Sequence, residues 1–205
     1  MAAGSARVIG IIGGTGDFGQ GLAERLRRLG EEVFLGSRTP HDEFVSNGEA
    51  VQRSAIVFLS VPPDGVEFTC ENLADELAGR IVVSVASPIV FVGGRPAAQP
   101  GELSLAEIAQ RAAPRCRVVA GFHTVSAKAL ARVDDPLHED VILCSDDAEA
   151  KQEIAVLAEK VIEGRAVDAG PLMVARWLEP VTAVILNVNR TYRVQTGVRI
   201  TGIPT

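Results

Sequence analysis

Short β-branched runs alternate along the chain with segments in which apolar residues recur at helical spacing. Leu22, Leu26 and Leu29 follow the helical period before Gly30, and a second helix is predicted over residues 66–77. The apolar runs predict strands, which are Val8–Ile12, Val33–Leu35, Ala55–Val61, Ile81–Val85 and Arg117–Gly121. This alternation predicts an α/β fold, a Rossmann-type doubly wound parallel sheet with right-handed crossovers.

The chain beyond residue 121 predicts a small C-terminal α/β extension. Its elements are a strand over Val141–Ser145, a helix that Asp147 caps, and a short strand over Arg165–Asp168. An apolar segment then covers residues 173–190, and Pro180 within it predicts a kinked helix or the start of a new one.

The apolar positions of that last segment exceed one helical face, which favours burial against a partner subunit. We therefore expect two domains. Residues 1–121 would form a dinucleotide-binding domain. Residues 122–205 would form a smaller domain that completes a second ligand site and supplies the contact of a homodimer.

Two stretches depart from the regular pattern. Between Arg38 and Ala55 the chain is too short for the usual crossover helix and its loops, and only Glu49–Arg53 has helical character. Residues 91–101 are rich in glycine and proline, which predicts a loop on the ligand-binding side of the sheet. That loop would either cover a ligand or serve as an exposed connector.

A glycine-rich turn follows the first predicted strand. Gly14, Gly16 and Gly19 satisfy the pattern G-x-G-x-x-G between that strand and the first helix. The first glycine permits a tight turn, the second lets the backbone approach a pyrophosphate, and the third lets helix and strand pack closely. Unpaired N–H groups at the start of the helix favour phosphate, so the pattern predicts a dinucleotide site.

The end of the second strand indicates which dinucleotide binds. Ser37 and Arg38 stand roughly 20 residues beyond the glycines, where a site for NAD normally carries Asp or Glu. A hydroxyl and a guanidinium suit a 2′-phosphate, so the sequence predicts NADP(H). The other parallel strands end at the same edge of the sheet, which adds residues 60–62 and 84–88 to the predicted site.

Composition narrows the class of partner and the location. The net charge of −6 argues against nucleic acid and against an anionic membrane surface as the main partner. The first seven residues lack the pattern of a signal peptide and no apolar run is long enough to span a membrane, so we expect a cytoplasmic protein. Cys70, Cys116 and Cys144 lack a C-x-x-C pair, which predicts buried free thiols without metal or disulfide.

Short blocks in both halves of the chain, taken together, are more specific than the glycine turn alone. The blocks are Ile12–Ala23, Leu35–Arg38, Gly121–Thr124, Cys144–Asp147, Asp168–Leu172 and Ile185–Asn187, with Arg176 and Glu179. In this order they resemble the NADPH-dependent reductases of the deazaflavin coenzyme F420. The resemblance implies reversible hydride transfer between C4 of the nicotinamide of NADP(H) and C5 of the deazaflavin, in a homodimer.

Carried onto this chain, the resemblance and the glycine motif imply roles for individual residues. The cofactor would be bound by Gly14, Thr15, Gly16, Asp17, Phe18, Ser37, Arg38, Ser60, Val61, Pro62, Val85 and Ala86. The deazaflavin would be bound by His123, Thr124, Val125, Ser126 and Ala127. His123 is the candidate hydrogen-bond donor to charge on the deazaflavin, and a purely structural histidine is the alternative. No metal is expected.

Two positions depart from the family pattern. Asp17 stands where the family often has an uncharged residue, so it would lie near the pyrophosphate or cap the first helix. Ser126 stands where proline is frequent.

The alternative functions are three. The first is a prephenate-dehydrogenase-like enzyme, which normally carries a larger helical domain. The others are an NADPH-to-flavin module like the cytosolic domain of membrane ferric reductases, and an NADP-binding sensor or scaffold.

Overall fold

The computed structural model describes residues 7–203 and has a parallel sheet of six strands at its centre. Residues 1–6, for which the sequence predicts no signal peptide, lie outside the described residues. The strands are β1 Val8–Ile12, β2 Glu32–Ser37, β3 Phe44–Ser46, β4 Ile56–Leu59, β5 Ile81–Ser84, β6 Ile89–Val92, β7 Arg95–Ala98, β8 Arg117–Ala120, β9 Val141–Leu143 and β10 Ala166–Asp168. The order in the sheet is β3-β2-β1-β4-β5-β8, all parallel. This confirms the predicted Rossmann-type α/β fold.

Helices cover both faces of this sheet. They are α1 Asp17–Arg28, α2 Asn47–Gln52, α3 Val66–Asn72, α4 Leu105–Ala112, α5 Ala127–Ala131, α6 Ala148–Val161 and α7 Ala175–Tyr192. Helices α1, α5 and α6 share one apolar cluster with alternate strand residues such as Ile9 and Ile11. Helices α2, α3, α4 and α7 share the second cluster with Ile12 and other residues of the opposite strand face. The period of two along each strand therefore divides the core into two layers.

The C-terminal extension continues the sheet with a change of direction. Strands β9 and β10 pair in parallel with each other, and Cys144, directly after β9, makes one antiparallel bridge with Ala120 of β8. The cluster around α1 contains residues from both sides of the predicted domain boundary, among them Leu26 and Leu157. The division into residues 1–121 and 122–205 stays a prediction.

Three local expectations need correction. The crossover after Arg38 is short, as predicted, but it contains the unpredicted strand β3 before the six-residue α2. Residues 91–101 are not a plain loop, because β6 and β7 form an antiparallel hairpin. Its turn residues Gly93 and Gly94 have φ of 55° and 71°, as a tight hairpin turn requires. Helix α3 ends at Asn72 rather than Leu77, and a series of turns follows.

The sequence predicts either a kinked helix or the start of a new one at Pro180. No second helix begins there, because α7 is a single helix of 18 residues that contains the proline in its second turn. The kink stays a prediction. A proline at that position removes one backbone hydrogen bond, to the carbonyl of Arg176, and leaves the rest of the helix intact. Burial of Leu178, Ala183 and Ile185 supplies the stabilisation that offsets this loss.

One buried cation ties the extension to the Rossmann core. Arg25 on α1 is only 8% exposed, and its guanidinium donates to four backbone carbonyls at 2.6–2.9 Å. The acceptors are Ala129, Leu130, Arg132 and Asp135, on α5 and the turn after it. Burial lowers the pKa of Arg25, against the opposing effect of Glu139 and Asp135, and the group remains cationic.

We expect Arg25→Ala to lower the free energy of unfolding by about 3 kcal/mol, because two buried and two partly buried carbonyls lose a charged donor. Urea denaturation measures this loss. Arg28→Ala on the same helix is the matched control, since Arg28 is exposed and pairs only with Glu24 and Asp134 at the surface. Equal stability of the Arg25 variant and the wild type would refute this role for the guanidinium.

Candidate functional site

A cleft of about 1100 Å³ lies at the carboxyl ends of β1, β2, β4 and β5. Ligands of open α/β sheets bind at this edge, where the strand order reverses on either side of β1. Ten of the twelve predicted cofactor residues line it, namely Thr15, Gly16, Phe18, Ser37, Arg38, Ser60, Val61, Pro62, Val85 and Ala86. The other two, Gly14 and Asp17, are not among the lining residues.

The glycines of the turn differ in what would exclude a side chain at each position. Gly13, not Gly14, has the left-handed conformation, with φ of 75°, and a Cβ there would lie 2.3 Å from the carbonyl oxygen of Ser60. A Cβ at Gly14 would lie 2.8 Å from Leu35, and one at Gly19 would lie 2.9 Å from the Cα of Gly14. Gly16 differs, because its Cβ would meet no atom closer than 3.7 Å. The protein itself does not require a glycine at position 16, whereas a ligand approaching the backbone does.

The first turn of α1 faces the same cleft. Gly16 is the N-cap of α1 and offers no capping side chain, so the first N–H groups of the helix are left for a ligand. Asp17 is the first residue of the helix and not its cap. The arrangement of glycine turn and helix start fits a pyrophosphate.

The end of β2 supplies polar groups for one end of the cleft. Ser37 donates from its hydroxyl to the Thr39 carbonyl at 2.9 Å, which fixes the turn that carries Arg38 and Thr39. Arg38 is exposed and lines the cleft. Asn47 at the start of α2 also lines it, and its buried Oδ1 has no hydrogen-bond partner within the described residues. These groups can bind a phosphate and a ribose hydroxyl.

The opposite end of the cleft is lined by Val85, Ala86 and Ser87 after β5, and by Thr182 of α7. The hydroxyls of Ser87 and Thr182 are 2.8 Å apart, and Thr182 donates to the backbone carbonyl of His123 at 2.8 Å. Helix α7 therefore closes the cleft at the end where the nicotinamide is expected.

His123 lies next to this end but does not line the cleft. Phe122, which is buried against Phe58, has φ of 66°, an unusual conformation for a bulky residue. The His123 ring that follows is 5% exposed, and neither ring nitrogen has a hydrogen-bond partner in the described part of the chain. Burial lowers the pKa of His123 to about 4. The ring is therefore neutral at physiological pH, with one N–H still free to donate.

The other four predicted deazaflavin residues make contacts within the protein. Thr124 donates to the carbonyl of Asp140 at 3.2 Å, and Val125 belongs to the apolar core. Ser126 accepts from the N–H of Ala129 as the N-cap of α5 and donates to Gln195 at 2.7 Å. Ala127 is the first residue of that helix. The structure does not bring these four side chains to the cleft.

A second pocket of about 330 Å³ adjoins the cleft and shares Pro63 and Asp64 with it. The hairpin contributes Ile89 and Val90, α4 contributes Leu105 and Ile108, and α7 contributes Arg176, Glu179 and Pro180. The pocket is mainly apolar, with two ionisable groups at one wall.

Polar side chains of α7 hold the walls of this second pocket together. Arg176 makes a bidentate ion pair with Glu107 at 2.7 and 2.6 Å. Glu179, 1% exposed, accepts from the N–H groups of Leu105 and Ala106 at the start of α4. Burial raises the pKa of Glu179 to about 7 despite these two donors. Asn187 donates to the carbonyl of Pro96 in the hairpin at 2.7 Å.

Sequence reasoning missed several residues that line the cleft, including Gly13, Thr39, Asn47, Phe68 and Thr182. Gly13 and Thr39 adjoin predicted residues, so their positions next to the motif were the available signal. Asn47 and Thr182 reach the cleft through long-range packing, and no local pattern indicates it. Within residues 7–203 no group of three His, Cys, Asp or Glu side chains could hold a metal, and no helix there could cross a membrane.

We expect Gly16→Val to preserve the fold and to weaken dinucleotide binding at least about tenfold, because its side chain fills space that a pyrophosphate needs. Calorimetric titration and thermal unfolding measure the two effects separately. Gly14→Ala is the matched control and should instead destabilise the fold, since its Cβ meets Leu35. Unchanged affinity in the Gly16 variant would overturn the placement of the pyrophosphate.

Protonation of His123 should destabilise the protein in mild acid. Its folded pKa of about 4 lies below the ordinary 6.5, so the unfolded chain binds the proton first. The stabilisation is complete above pH 6.5 and is lost as the pH falls toward 4, on the order of 2 kcal/mol between pH 7 and 4.5. Urea denaturation across this range should show the loss in the wild type and not in His123→Gln, with exposed His41→Gln as control. If the free energy of unfolding falls equally with pH in the wild type and in His123→Gln, the burial of a neutral His123 is contradicted.

Comparisons with known proteins agree with this geometry. Residues 8–88 match the family model described as NADP oxidoreductase, coenzyme F420-dependent. The chain is 33% identical to an F420-dependent NADP reductase of Methanothermobacter thermautotrophicus, covering 96% of this chain and 95% of that protein. It is 31% identical to the reductase of the same name from Methanocaldococcus jannaschii, covering 95% and 98%.

Two further comparisons concern the fold and a partial relative. A crystal structure of a putative F420-dependent NADP reductase from Arthrobacter superimposes with a TM-score of 0.85 at 24% identity, over 96% of this chain and all of that one, which shows the same fold. Metalloreductase STEAP3 of Rattus norvegicus is 31% identical over 87% of this chain, but the match covers only 37% of that protein. By its identity to the archaeal reductases over nearly their full length, the chain belongs to the F420-dependent NADP reductase family.

Proposed function

We propose that this protein is an oxidoreductase that transfers a hydride reversibly between NADP(H) and coenzyme F420. One observation carries the proposal: a single cleft extends from Arg38 past the open backbone of Gly16 to Val85, Ser87 and Thr182, and a second pocket opens beside it. Two ring systems can therefore be bound in adjoining cavities, as direct transfer between two coenzymes requires.

The residues of the cleft fit NADP(H). The start of α1, with Gly16 exposed, would bind the pyrophosphate, and Ser37, Arg38 and Thr39 would bind the 2′-phosphate. Val85 and Ala86 would pack against the nicotinamide. NADPH supplies the hydride, from C4 of its nicotinamide to C5 of the deazaflavin. No acid–base group is required for that step, so the protein contributes alignment and exclusion of water.

We propose that the deazaflavin enters at Ser87 and Thr182 and extends toward the pocket that contains Arg176. The apolar surface of Ile89, Val90 and Ile108 suits a flat ring. His123, neutral and with unpaired ring nitrogens beside Ala86, is the proposed donor to charge on the deazaflavin. Thr124 and Ser126 would support this segment through their hydrogen bonds to Asp140 and Gln195.

We also propose a cytoplasmic homodimer. The support for a dimer is an exposed apolar stripe on α7, in which Trp177, Val184, Val188 and Tyr192 recur at helical spacing. Three buried free thiols are consistent with a reducing compartment. Light scattering of the purified protein should give twice the chain mass, and Val184→Lys should give the monomer. A monomeric wild type would exclude the dimer.

The proposed activity is tested by following the absorbance of oxidised coenzyme F420 with purified protein and NADPH, with NADH and with FMN as the alternative acceptor in parallel. We expect rapid loss of the deazaflavin absorbance with NADPH and little with NADH. Binding of NADPH without turnover would contradict the reductase and favour a sensor or scaffold. Turnover with FMN alone would favour a flavin reductase.

Arg38→Ala should weaken NADPH binding by about 1–3 kcal/mol and leave NADH binding nearly unchanged, because only NADPH has a 2′-phosphate. Fluorescence titration with both nucleotides measures the difference. Arg53→Ala is the matched control, since Arg53 stacks on Phe34 and does not line the cleft. Equal losses for NADPH and NADH would exclude the contact with the 2′-phosphate.

A further inference from the structure

Phe68 on α3 combines two properties that no part of the proposed function uses. Its side chain is 70% exposed, and it lines the cleft. Single exposed apolar residues are common on protein surfaces and have no meaning by themselves. Among the described residues that line the cleft, however, Phe68 is the one large apolar side chain that is mostly exposed.

The packing of α3 shows which end of the cleft Phe68 faces. Leu73, next after α3, lies 3.9 Å from the position of a Cβ on Gly48, in the first turn of α2. Helix α2 follows β3 directly, and Ser46 at the end of β3 pairs with Ser37 of β2. The carboxyl end of α3 therefore lies toward the end of the cleft that carries Ser37 and Arg38.

The short crossover leaves this end of the cleft open. Only residues 38–43 connect β2 and β3, so no helix follows β2 to cover a bound nucleotide. The polar groups there, from Ser37, Arg38 and Thr39, suit phosphate and ribose but not the face of a base. An aromatic ring on the facing helix supplies a surface for that base.

We infer that Phe68 stacks on the adenine base of the bound dinucleotide and thereby replaces the wall that the short crossover lacks. The inference rests on the proposed binding of NADP(H) in the cleft. Asn72 donates to the Phe68 carbonyl at 2.8 Å, one turn along α3, and Thr69 and Asn72 also line the cleft with polar groups that can meet the edge of the base. Phe68 is thus a specificity residue for the adenosine half and takes no part in the transfer.

The test uses adenosine 2′,5′-bisphosphate, a fragment that carries the base and both phosphates but no nicotinamide. Calorimetric titration should show about tenfold weaker binding for Phe68→Ala, the usual range for the loss of one stacking partner. Phe68→Trp should bind the bisphosphate at least as tightly as the wild type. Phe68→Leu, which lacks an aromatic ring, should show most of the loss expected for Phe68→Ala. Phe91→Ala is the matched control, because Phe91 is 71% exposed and lies outside the cleft. Wild-type affinity in Phe68→Ala or in Phe68→Leu would overturn the inference.

A spectroscopic measurement gives a second, independent result. The sequence has one tryptophan, Trp177, so Phe68→Trp in a Trp177→Phe background places the only indole at position 68. Stacking predicts quenching of its fluorescence by the bisphosphate and none by nicotinamide mononucleotide. No quenching at saturating bisphosphate would contradict the stacking.

The outcome separates this inference from the proposed activity. A wild type that does not reduce coenzyme F420, yet binds the bisphosphate through Phe68, would remove the proposed activity and leave the inference standing. If the wild type reduces coenzyme F420 but Phe68→Ala binds the bisphosphate as tightly as the wild type, the proposed activity stands and the inference about Phe68 is removed.

Discussion

The close approach of the turn after β1 to the end of β4 is the constraint on which the site depends. Gly13 lies against the carbonyl of Ser60 in a conformation that other residues rarely adopt. Gly14 and Gly19 then let the turn and α1 pack against β2 and each other without side chains between them. Together these contacts aim the start of α1 at the cleft. Gly16 is the one glycine of the four that is left facing open space, which is the space the pyrophosphate requires.

Helix α7 is the second constraint, and it acts on the other end of the site. Its inward polar side chains contact α4 and the β6–β7 hairpin, which are distant in sequence. Glu179 is the most costly of them, since a carboxylate is buried in exchange for two backbone N–H donors. That arrangement fixes the wall of the second pocket. It also accounts for the sequence blocks around Arg176, Glu179 and Asn187, whose side chains link α7 to its neighbours rather than packing the core.

Local pattern was enough to predict five of the six strands of the sheet and to place Arg38 at the edge where these strands end. Strand ends of a parallel sheet meet at one edge, so residues such as Ser60 and Val85 could be placed from sequence alone. Gly93 and Gly94 are a pair that favours a hairpin turn, whereas the glycine and proline content of residues 91–101 favours a loop. Thr182 could not be placed, because its position depends on how α7 packs across the sheet. Residues 124–127 follow a strand end as predicted, yet Thr124 and Ser126 donate to Asp140 and Gln195, and Val125 packs in the core.

The proposed reaction is a direct transfer between two coenzymes held in adjoining cavities, without an acid–base relay. The most direct test is to supply NADPH deuterated at the transferred position of C4, in ordinary water, and to analyse the reduced coenzyme F420 by NMR. Direct transfer predicts that the deuterium is found at C5 of the deazaflavin and that the transferred position contains no hydrogen from solvent. Hydrogen from solvent at C5 would contradict it, since the hydride would then have passed through an exchangeable group.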